Sequence, residues 1–195
     1  MKMELATPAT SPDPSANEAA DLQRARAGDR PAFRRLVLVH QDRVYSLALR
    51  ITGHHADAEE LAQDAFMQLH GAMALVTSPA HLKHWLLRTV AHRAIDRLRR
   101  GARQGQALPL EALEGRAEHL EPEPGGDPMA AAHLHRLLLM LQPDARAVVL
   151  LHYQEDLDVS DIAVVLEMPV NTVKSHLRRS IEWLRARCAG EDHEA

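Results

Sequence analysis

Apolar residues recur at intervals of three and four positions along most of this chain, which places them on one side of an α-helix. In the longest such segment the apolar positions are Phe33, Leu36, Val37, Val44, Leu47, Ala48 and Ile51. Leu, Ala, Arg and Glu are frequent, whereas the alternating β-branched pattern of strands is scarce. The sequence therefore predicts an all-α fold.

Signals for helix starts and stops divide this pattern into segments. Gly53 is a natural helix stop, and Ser78 and Asp127 are each followed by proline, which suits an N-cap and the first turn. The predicted helices cover approximately residues 18–27, 31–53, 55–73, 79–100, 129–141, 143–154, 159–166 and 171–187.

A break in the helical pattern over residues 101–128 divides the chain. This segment is rich in Gly, Pro and acidic residues, so we expect a flexible acidic linker. It joins two small helical domains, over residues 18–100 and 129–188, and the second has the spacing of a helix-turn-helix. Residues 1–17, rich in Pro, Ser, Thr and Ala, are predicted to be a disordered tail, and 189–195 a second tail.

Composition narrows the class of protein. The single cysteine, Cys188, precludes an internal disulfide and is typical of a reducing compartment. The N-terminal segment MKMELATPATSPDPSANEAA has no apolar run, and stretches such as AVVLLHY are too short to cross a bilayer. We therefore expect a cytoplasmic protein with no membrane insertion.

Charge is distributed unevenly, although the net charge is −4 at pH 7. Basic residues predominate over residues 83–103 and 171–187, whereas acidic residues predominate over 111–127. Two basic segments separated by an acidic one indicate distinct interaction surfaces that the net charge conceals.

The C-terminal basic segment is the second helix of the predicted helix-turn-helix. Its apolar stripe consists of Val173, Leu177, Ile181 and Leu184. We expect Asn171 to cap this helix and its outer face to contact phosphates and base edges in a major groove. The candidate DNA-binding residues are Asn171, Thr172, Lys174, Ser175, Arg178 and Arg179. The alternative is an amphipathic surface helix with solvated arginines.

The predicted turn departs from the usual pattern at Glu167, where glycine is the common residue. If this position adopts a positive φ, glutamate costs on the order of 1 kcal/mol relative to glycine. The sequence therefore predicts a turn that is looser than the standard form.

The predicted helix 79–100 carries the other basic face. Its apolar side consists of Leu87, Val90, Ala91, Ala94, Ile95 and Leu98. A basic helix with an aromatic residue near its start, here Trp85, suits a nucleic acid whose bases are unstacked. The alternative interpretation of Trp85 is an ordinary core residue.

Three segments together resemble bacterial RNA polymerase sigma factors of the extracytoplasmic-function (ECF) type. They read DAEELAQDAF, HLKHWLLRTVAHRAIDRLRR and, after the linker, LQPDARAVVLLHYQEDLDVSDIAVVLEMPVNTVKSHLRRSIEWLR. The resemblance covers about residues 20–100 and 130–187. The third domain of larger sigma factors is absent, and the linker stands in its place.

The resemblance implies partners for both domains. Core RNA polymerase would dock its clamp helices on an acidic stripe of the third predicted helix, formed by Asp57, Glu60, Asp64 and Gln68. The alternative is a solvated acidic face. The acidic linker would thread toward the RNA exit path and imitate a phosphate backbone there, and an anti-sigma factor is expected to cover both domains.

The same resemblance implies promoter DNA as a ligand of both basic helices. The helix-turn-helix would read the −35 element. The predicted helix 79–100 would recognise and open the −10 element through Trp85, Arg88, His92, Arg93, Asp96, Arg97 and Arg100. This chain has His92 where the family often has Asn and Leu87 where it often has an aromatic residue, so its base preference at −10 is left open.

No motif indicates catalysis or a cofactor. The sequence has no glycine-rich nucleotide loop and no pairing of a nucleophile with a base. Among its 13 histidines, His133 and His135 point to different faces of a helix, and His81 and His84 lack a further ligand. We therefore expect a protein that is not an enzyme, with no catalytic residues, no metal and no cofactor.

Two other functions remain open from the residues alone. NTVKSHL also suits a helix-turn-helix regulator of the response-regulator or autoinducer type, which binds duplex DNA on its own. A sigma mimic that sequesters an anti-sigma factor is the second. The absence of a strand–helix alternation in residues 20–100 disfavours the first, and intact basic faces disfavour the second.

Overall fold

The computed structural model of the chain describes residues 14–104 and 127–191. Over these ranges it contains eight α-helices, one short 3₁₀ helix and no strand, which confirms the predicted all-α fold. Four α-helices precede residue 105 and four follow residue 126, in keeping with the two predicted domains.

The N-terminal half is built around its second helix. Its helices are α1 (Pro14–Arg26), α2 (Arg30–Thr52), α3 (His55–Ala72) and α4 (Pro79–Arg103), with the 3₁₀ helix Met73–Leu75 between α3 and α4. Helix α2 packs against α1, α3 and α4, because its apolar residues Leu36, Val44, Leu47 and Ile51 are fully buried. The predicted apolar stripe of this helix therefore lies in the core.

The C-terminal half ends in the predicted helix-turn-helix. Its helices are α5 (Pro128–Met140), α6 (Pro143–Tyr153), α7 (Val159–Val165) and α8 (Val170–Glu191). Helix α8 packs along α6 and crosses α7, with Val173 buried against Ile162 and Ala163 of the same core cluster.

Several helices begin or end at the capping residues that the sequence predicted. The side chain of Ser78 accepts a hydrogen bond from the His81 N–H at 3.1 Å, and that of Asp127 accepts one from the Met129 N–H at 2.9 Å. Gly53 ends α2 at φ 69°, where its N–H donates to the Leu49 carbonyl at 2.7 Å. These local signals predicted the ends of three helices correctly.

Several helices extend past the predicted boundaries. Residues 14–17, expected in the tail, begin α1, because proline is tolerated in a first helical turn. Residues 101–103 and Pro128, expected in the linker, belong to α4 and α5, and α8 continues to Glu191 instead of ending before the tail. The rest of the predicted tails and linker lies outside the described residues.

The two halves pack against each other and share one apolar cluster. Leu139 of α5 rests on Gly53, where a Cβ atom would lie 2.8 Å from a Leu139 methyl carbon. Glycine suits this position for two reasons: its φ is positive, and a Cβ atom would force the end of the Leu139 side chain to shift. Two independent domains joined by a linker would not need this contact, and no pattern in the sequence predicted it.

Arg146 of α6 is the charged group at this junction and is 6% exposed. Its guanidinium donates to the carbonyls of Leu138 at 2.9 Å and Leu141 at 3.0 Å, and also to those of Leu139 and Ile51. The carbonyls belong to the C-terminal ends of α5 and α2, where the helix dipole favours a cation. Burial lowers the pKa of Arg146 to about 10, so it stays charged at neutral pH.

We expect Arg146→Met to lower the free energy of unfolding by about 3 kcal/mol, because it leaves several buried carbonyls without a donor. Urea denaturation followed by circular dichroism measures this change. Arg34→Met, at an exposed position of α2, is the control for loss of one positive charge. Equal stability of the two variants would contradict the bridging role of Arg146.

Stability should also fall in mild acid because of His135, which is 3% exposed. Burial and the charges of Arg50 and Arg146 lower its pKa to about 4. Between pH 6.5 and 4 the unfolded chain binds a proton at this histidine and the folded chain does not, so stability present at higher pH is lost as pH falls.

From pH 7.5 to 5.5 we expect this histidine to account for a loss of about 1 kcal/mol. Urea midpoints of the wild type and of His135→Leu over this pH range measure the loss. The variant should show a shallower decline, and parallel curves would refute the assignment.

Candidate nucleic-acid interface

Helix α8 presents its basic side chains to solvent. Lys174, Arg178 and Arg179 are exposed, while Val173 and Leu184 are buried. Leu177 and Ile181 are half-buried against the same core, so the predicted apolar stripe is in place. Ser175 and Thr172 are half-buried beside the basic residues. The orientation needed for groove binding is thus present, and the roles of these side chains as DNA contacts stay predictions.

The turn before α8 places Glu167 at a positive φ, the condition under which glutamate was expected to be unfavourable. Glu167 adopts φ 53°, in the left-handed region, where glutamate is disfavoured relative to glycine. The following Met168 N–H donates to the Ala163 carbonyl at 3.0 Å, which closes the end of α7. The turn therefore keeps its hydrogen bonding although it carries an unfavourable residue.

Asn171 does not cap α8, contrary to expectation. The helix begins at Val170, and the Pro169 carbonyl accepts from the N–H groups of Thr172 at 2.8 Å and Val173 at 3.2 Å. Because the chain reaches helical geometry one residue early, Asn171 lies in the first turn, where its side chain is exposed.

Charges on α8 remain largely uncompensated within the helix. Arg178 lies 3.5 Å from Glu182 one turn along, but both side chains are more than half exposed. Such pairs contribute little in water. Toward the other end, the Arg187 guanidinium stacks on the Trp183 ring at 3.8 Å. The basic surface at the start of α8 is therefore available to an anionic ligand.

Helix α4 turns its predicted apolar side into the core. Leu87, Val90, Ala91 and Ala94 are fully buried, and Ile95 is 4% exposed. Trp85 is half-buried and packs against the same cluster, which agrees with the simpler reading of this residue as part of the core. Asp96 and Arg100 are exposed, and the Arg100 Nε donates to the Asp96 carbonyl at 3.2 Å.

Two arginines of α4 bind the acidic stripe of α3. Arg97 Nη1 donates to Asp57 and to Glu60, each at 2.8 Å, and Arg93 Nη1 donates to Asp64 at 2.7 Å. The Gln68 amide oxygen, in the orientation that satisfies the amide, accepts from Arg93 Nε at 2.6 Å. The sequence predicts these as two separate surfaces, yet they face each other.

These ion pairs change the acidity of their members. The hydrogen bond from Arg97 lowers the pKa of the Glu60 carboxyl, and the bonds to Glu60 and Asp57 raise the pKa of Arg97. Glu60 and Arg97 are therefore both charged at neutral pH. The α3–α4 surface is therefore a row of alternating charges held in fixed positions.

Other polar residues of α4 contact the C-terminal half. Arg88 binds the Glu167 carboxylate, and the His92 Nε2 lies 3.0 Å from the Val165 carbonyl oxygen. Arg99 donates to both Asp144 oxygens at 2.8 Å. Helix α7 and the turn that follows it thus cover part of the predicted −10 surface, at Arg88 and His92.

Glu155 links the halves and was not among the predicted functional residues. It is 4% exposed, and its carboxylate lies 3.1 Å from Arg43 Nε and 3.9 Å from Lys83 Nζ. Lys83 Nζ also donates to the Glu155 carbonyl at 2.9 Å. Burial raises the pKa of Glu155, although both cations oppose the shift. No spacing in the sequence marks this loop acid.

The described part of the chain has neither a candidate metal site nor a candidate membrane span. Within residues 14–104 and 127–191, no three His, Cys, Asp or Glu side chains cluster closely enough to bind a metal ion. No helix in those same ranges combines the length and apolarity that crossing a bilayer requires.

Two family models match the chain in order. Residues 36–104 match the model described as Sigma-70 region 2, and residues 132–184 match the one described as Sigma-70, region 4. The first match covers most of α2 together with α3 and α4. The second covers most of α5, with α6, α7 and the larger part of α8.

Curated proteins that are similar to the chain over most of its length are RNA polymerase sigma factors. The ECF RNA polymerase sigma factor SigE of Mycolicibacterium smegmatis is 34% identical over 157 residues, and the match spans 80% of this chain and 61% of that protein. SigW of Bacillus subtilis is 26% identical, over 84% of this chain and 92% of that protein. SigM of Mycobacterium tuberculosis H37Rv is 31% identical, over 84% of this chain and 78% of that protein.

Solved structures share the fold at lower identity. The sigma factor RpoE of Bartonella quintana, in complex with the anti-sigma factor NepR, has a TM-score of 0.64 at 20% identity and covers 79% of this chain and 94% of its own. CnrH, in complex with the cytosolic domain of CnrY, has a TM-score of 0.62 at 21% identity and covers 89% and 98%.

The two matched models together cover more than half of the chain, and a relative more than 30% identical is covered over most of its length. The chain therefore belongs to the sigma-70 family of RNA polymerase sigma factors, in its extracytoplasmic-function group.

Proposed function

We propose that this chain binds core RNA polymerase and directs it to promoters, reading a −35 element with α8 and helping to open a −10 element with α4. The observation that carries the proposal is the combination of an exposed basic helix-turn-helix with a region 2 match in one chain. The protein would act in the cytoplasm as a non-catalytic initiation factor.

Recognition at −35 would use the first turns of α8. An α-helix fits the major groove of B-DNA, where arginine and lysine pair with guanine edges and with phosphates. Lys174, Arg178 and Arg179 project from the exposed side, with Asn171, Thr172 and Ser175 beside them. This placement supports a division between base contacts and phosphate contacts within one helix.

Opening at −10 would use the outer face of α4. Unstacking duplex DNA costs about 1.4 kcal/mol per base-pair step, so contacts to the extruded strand must offset it. The candidates are Trp85, Arg88, His92, Arg93, Asp96, Arg97 and Arg100. Carboxylates of α3 hold the side chains of Arg93 and Arg97 in place, so we infer that these two arginines offer a positive charge at a fixed position to phosphates. The side chains of Asp96 and Arg100 are exposed and can change conformation on binding.

Core polymerase would dock on the α3 stripe of Asp57, Glu60, Asp64 and Gln68. The Glu60 side chain stays 58% exposed while it binds Arg97, so part of the carboxylate remains open to a basic partner. The ion pairs fix its orientation, which reduces the side-chain entropy lost on docking. The same pairs couple the polymerase surface mechanically to α4.

An anti-sigma factor is the remaining partner that we propose. RpoE was solved in complex with the anti-sigma factor NepR, and CnrH in complex with the cytosolic domain of CnrY. Both chains share this fold, which supports a comparable inhibitor here.

The regulator of the response-regulator type is the less favoured function. Such a protein needs no region 2, whereas residues 36–104 match that model. A sigma mimic that binds only the inhibitor is disfavoured by the exposed basic side chains on α8.

Transcription from genomic promoter templates tests the proposal. The chain with core RNA polymerase should give initiation at defined sites, and the chain alone should bind the same duplexes weakly. Run-off assays and electrophoretic mobility shift measure the two. Tight, specific binding without polymerase and no initiation would favour the regulator instead.

Arg178→Glu should reduce initiation at promoters with an intact −35 element by about tenfold or more, because it removes a cation at the groove and adds repulsion. Competition between promoters in one run-off assay measures the loss of discrimination. Arg34→Glu, an exposed site on α2, makes the same change in net charge and should leave initiation unchanged. Normal initiation with Arg178→Glu would exclude a role for this side chain.

A further inference from the structure

We infer that Asn171 reads an adenine in the major groove of the −35 element and is a specificity-determining residue of this protein. The inference rests on the proposed function, in which α8 enters the groove of promoter DNA. It goes beyond that function because it assigns one base to one side chain. It also fixes the distance to a second base, a guanine read by Arg178.

Capping does not explain an asparagine at this place in the chain. Asparagine is common at the N-cap, where its side-chain oxygen accepts a hydrogen bond from the helix backbone. Here the helix begins at Val170, and the Pro169 carbonyl accepts from the N–H groups of Thr172 and Val173. Asn171 therefore lies inside the first turn, where asparagine is a less favourable residue than alanine. Helix formation alone gives no reason for this side chain.

Asn171 belongs to a row of side chains on the outer face of α8. The members of this outer row follow one another at intervals of four, three and four residues, which places them on one face of the helix: Asn171, Ser175, Arg178 and Glu182. Ser175 is half-buried and the other three are exposed. The row lies on the side opposite the buried Val173 and Leu184. Exposure leaves both the oxygen and the NH₂ group of the Asn171 amide accessible to a ligand.

The position of Asn171 along α8 favours a contact with a base edge. In helix-turn-helix proteins the N-terminal residues of the second helix contact base edges, while the first helix crosses the backbone. Asn171 is the second residue of α8. Its amide presents a donor and an acceptor side by side, which matches the N6 amino group and N7 of adenine. Guanine presents two acceptors in the groove, cytosine a donor and thymine an acceptor, so only adenine pairs with both groups of the amide.

Arg178 supplies a second contact at a defined spacing in the same row. It lies two turns beyond Asn171, a separation of about 10 Å at a rise of about 1.5 Å per residue. Base pairs stack about 3.4 Å apart and the groove runs obliquely to the DNA axis, so the two side chains reach base pairs about two or three steps apart. Arginine pairs with the O6 and N7 atoms of guanine. The expected pattern is therefore an adenine with a guanine about two or three base pairs away.

Transcription by core RNA polymerase and the full-length chain, from templates randomised over the −35 element, tests the inference. Each transcript carries a barcode of its template, so sequencing gives the base preference at every position. With the wild type we expect one position at which adenine is preferred by about fivefold or more. Asn171→Ala should reduce this preference to less than about twofold and leave the preferences at the other positions unchanged.

Two further variants and a control sharpen the test. Asn171→Asp keeps α8 intact, since a carboxylate in the first turn stabilises a helix, and its acceptor-only side chain should shift the preference from adenine to cytosine. Arg178→Ala should weaken a guanine preference about two or three base pairs from the adenine. Asn17→Ala, at an exposed asparagine of α1, removes the same group elsewhere and should change no preference.

Several outcomes would overturn the inference while the proposed function stands, because the wild type still initiates at specific promoters in each of them. One is an equal loss of initiation on all sequences with Asn171→Ala, which indicates a phosphate contact. Others are a wild type without the adenine preference, an unchanged preference with Asn171→Asp, or the same change with Asn17→Ala. If the wild type gives no promoter-specific initiation, the proposed function and the inference both fail.

Discussion

The buried guanidinium of Arg146 is the contact on which the relation between the two halves depends. A permanently charged group in the interior is tolerated only where acceptors surround it, and here they are the carbonyls at the ends of α5 and α2. Because α2 belongs to the N-terminal half and α5 to the C-terminal half, satisfying one cation fixes the position of these helices relative to each other. The approach of Leu139 to Gly53 and the burial of His135 follow from the same junction.

Which basic surfaces of this protein are exposed depends on how its charged residues pair, more than on how many there are. The net charge is −4, yet the start of α8 is basic and exposed. On α4, arginines are partly neutralised, by Asp57, Glu60 and Asp64 from α3 and by carboxylates of the other half. The two basic helices therefore differ in availability. The basic side chains at the start of α8 are exposed, whereas those of α4 are engaged with carboxylates of the protein itself.

Helix positions were predictable because their determinants are local. Gly53 ends α2, Ser78 begins α4, and the apolar spacing of α8 put Val173 in the core, each through interactions within about one helical turn. The tail and linker boundaries differ from the helix ends by a few residues, because α4 continues through Gly101 to Arg103 and α8 continues to Glu191. Asn171 was misplaced as a cap because α8 begins at Val170, and the Pro169 carbonyl accepts the first hydrogen bonds of the helix.

The sequence by itself determined the helices, the faces they bury and the family, because periodicity, caps and motifs are written in neighbouring residues. It also marked Glu167 as an unusual turn residue. Only the tertiary structure decided which partners those faces meet. Periodicity predicts which side of a helix is buried, but not which residues it packs against. Packing between segments distant in sequence decided the ion pairs of Arg88 with Glu167, of Arg97 with Asp57 and of Arg43 with Glu155.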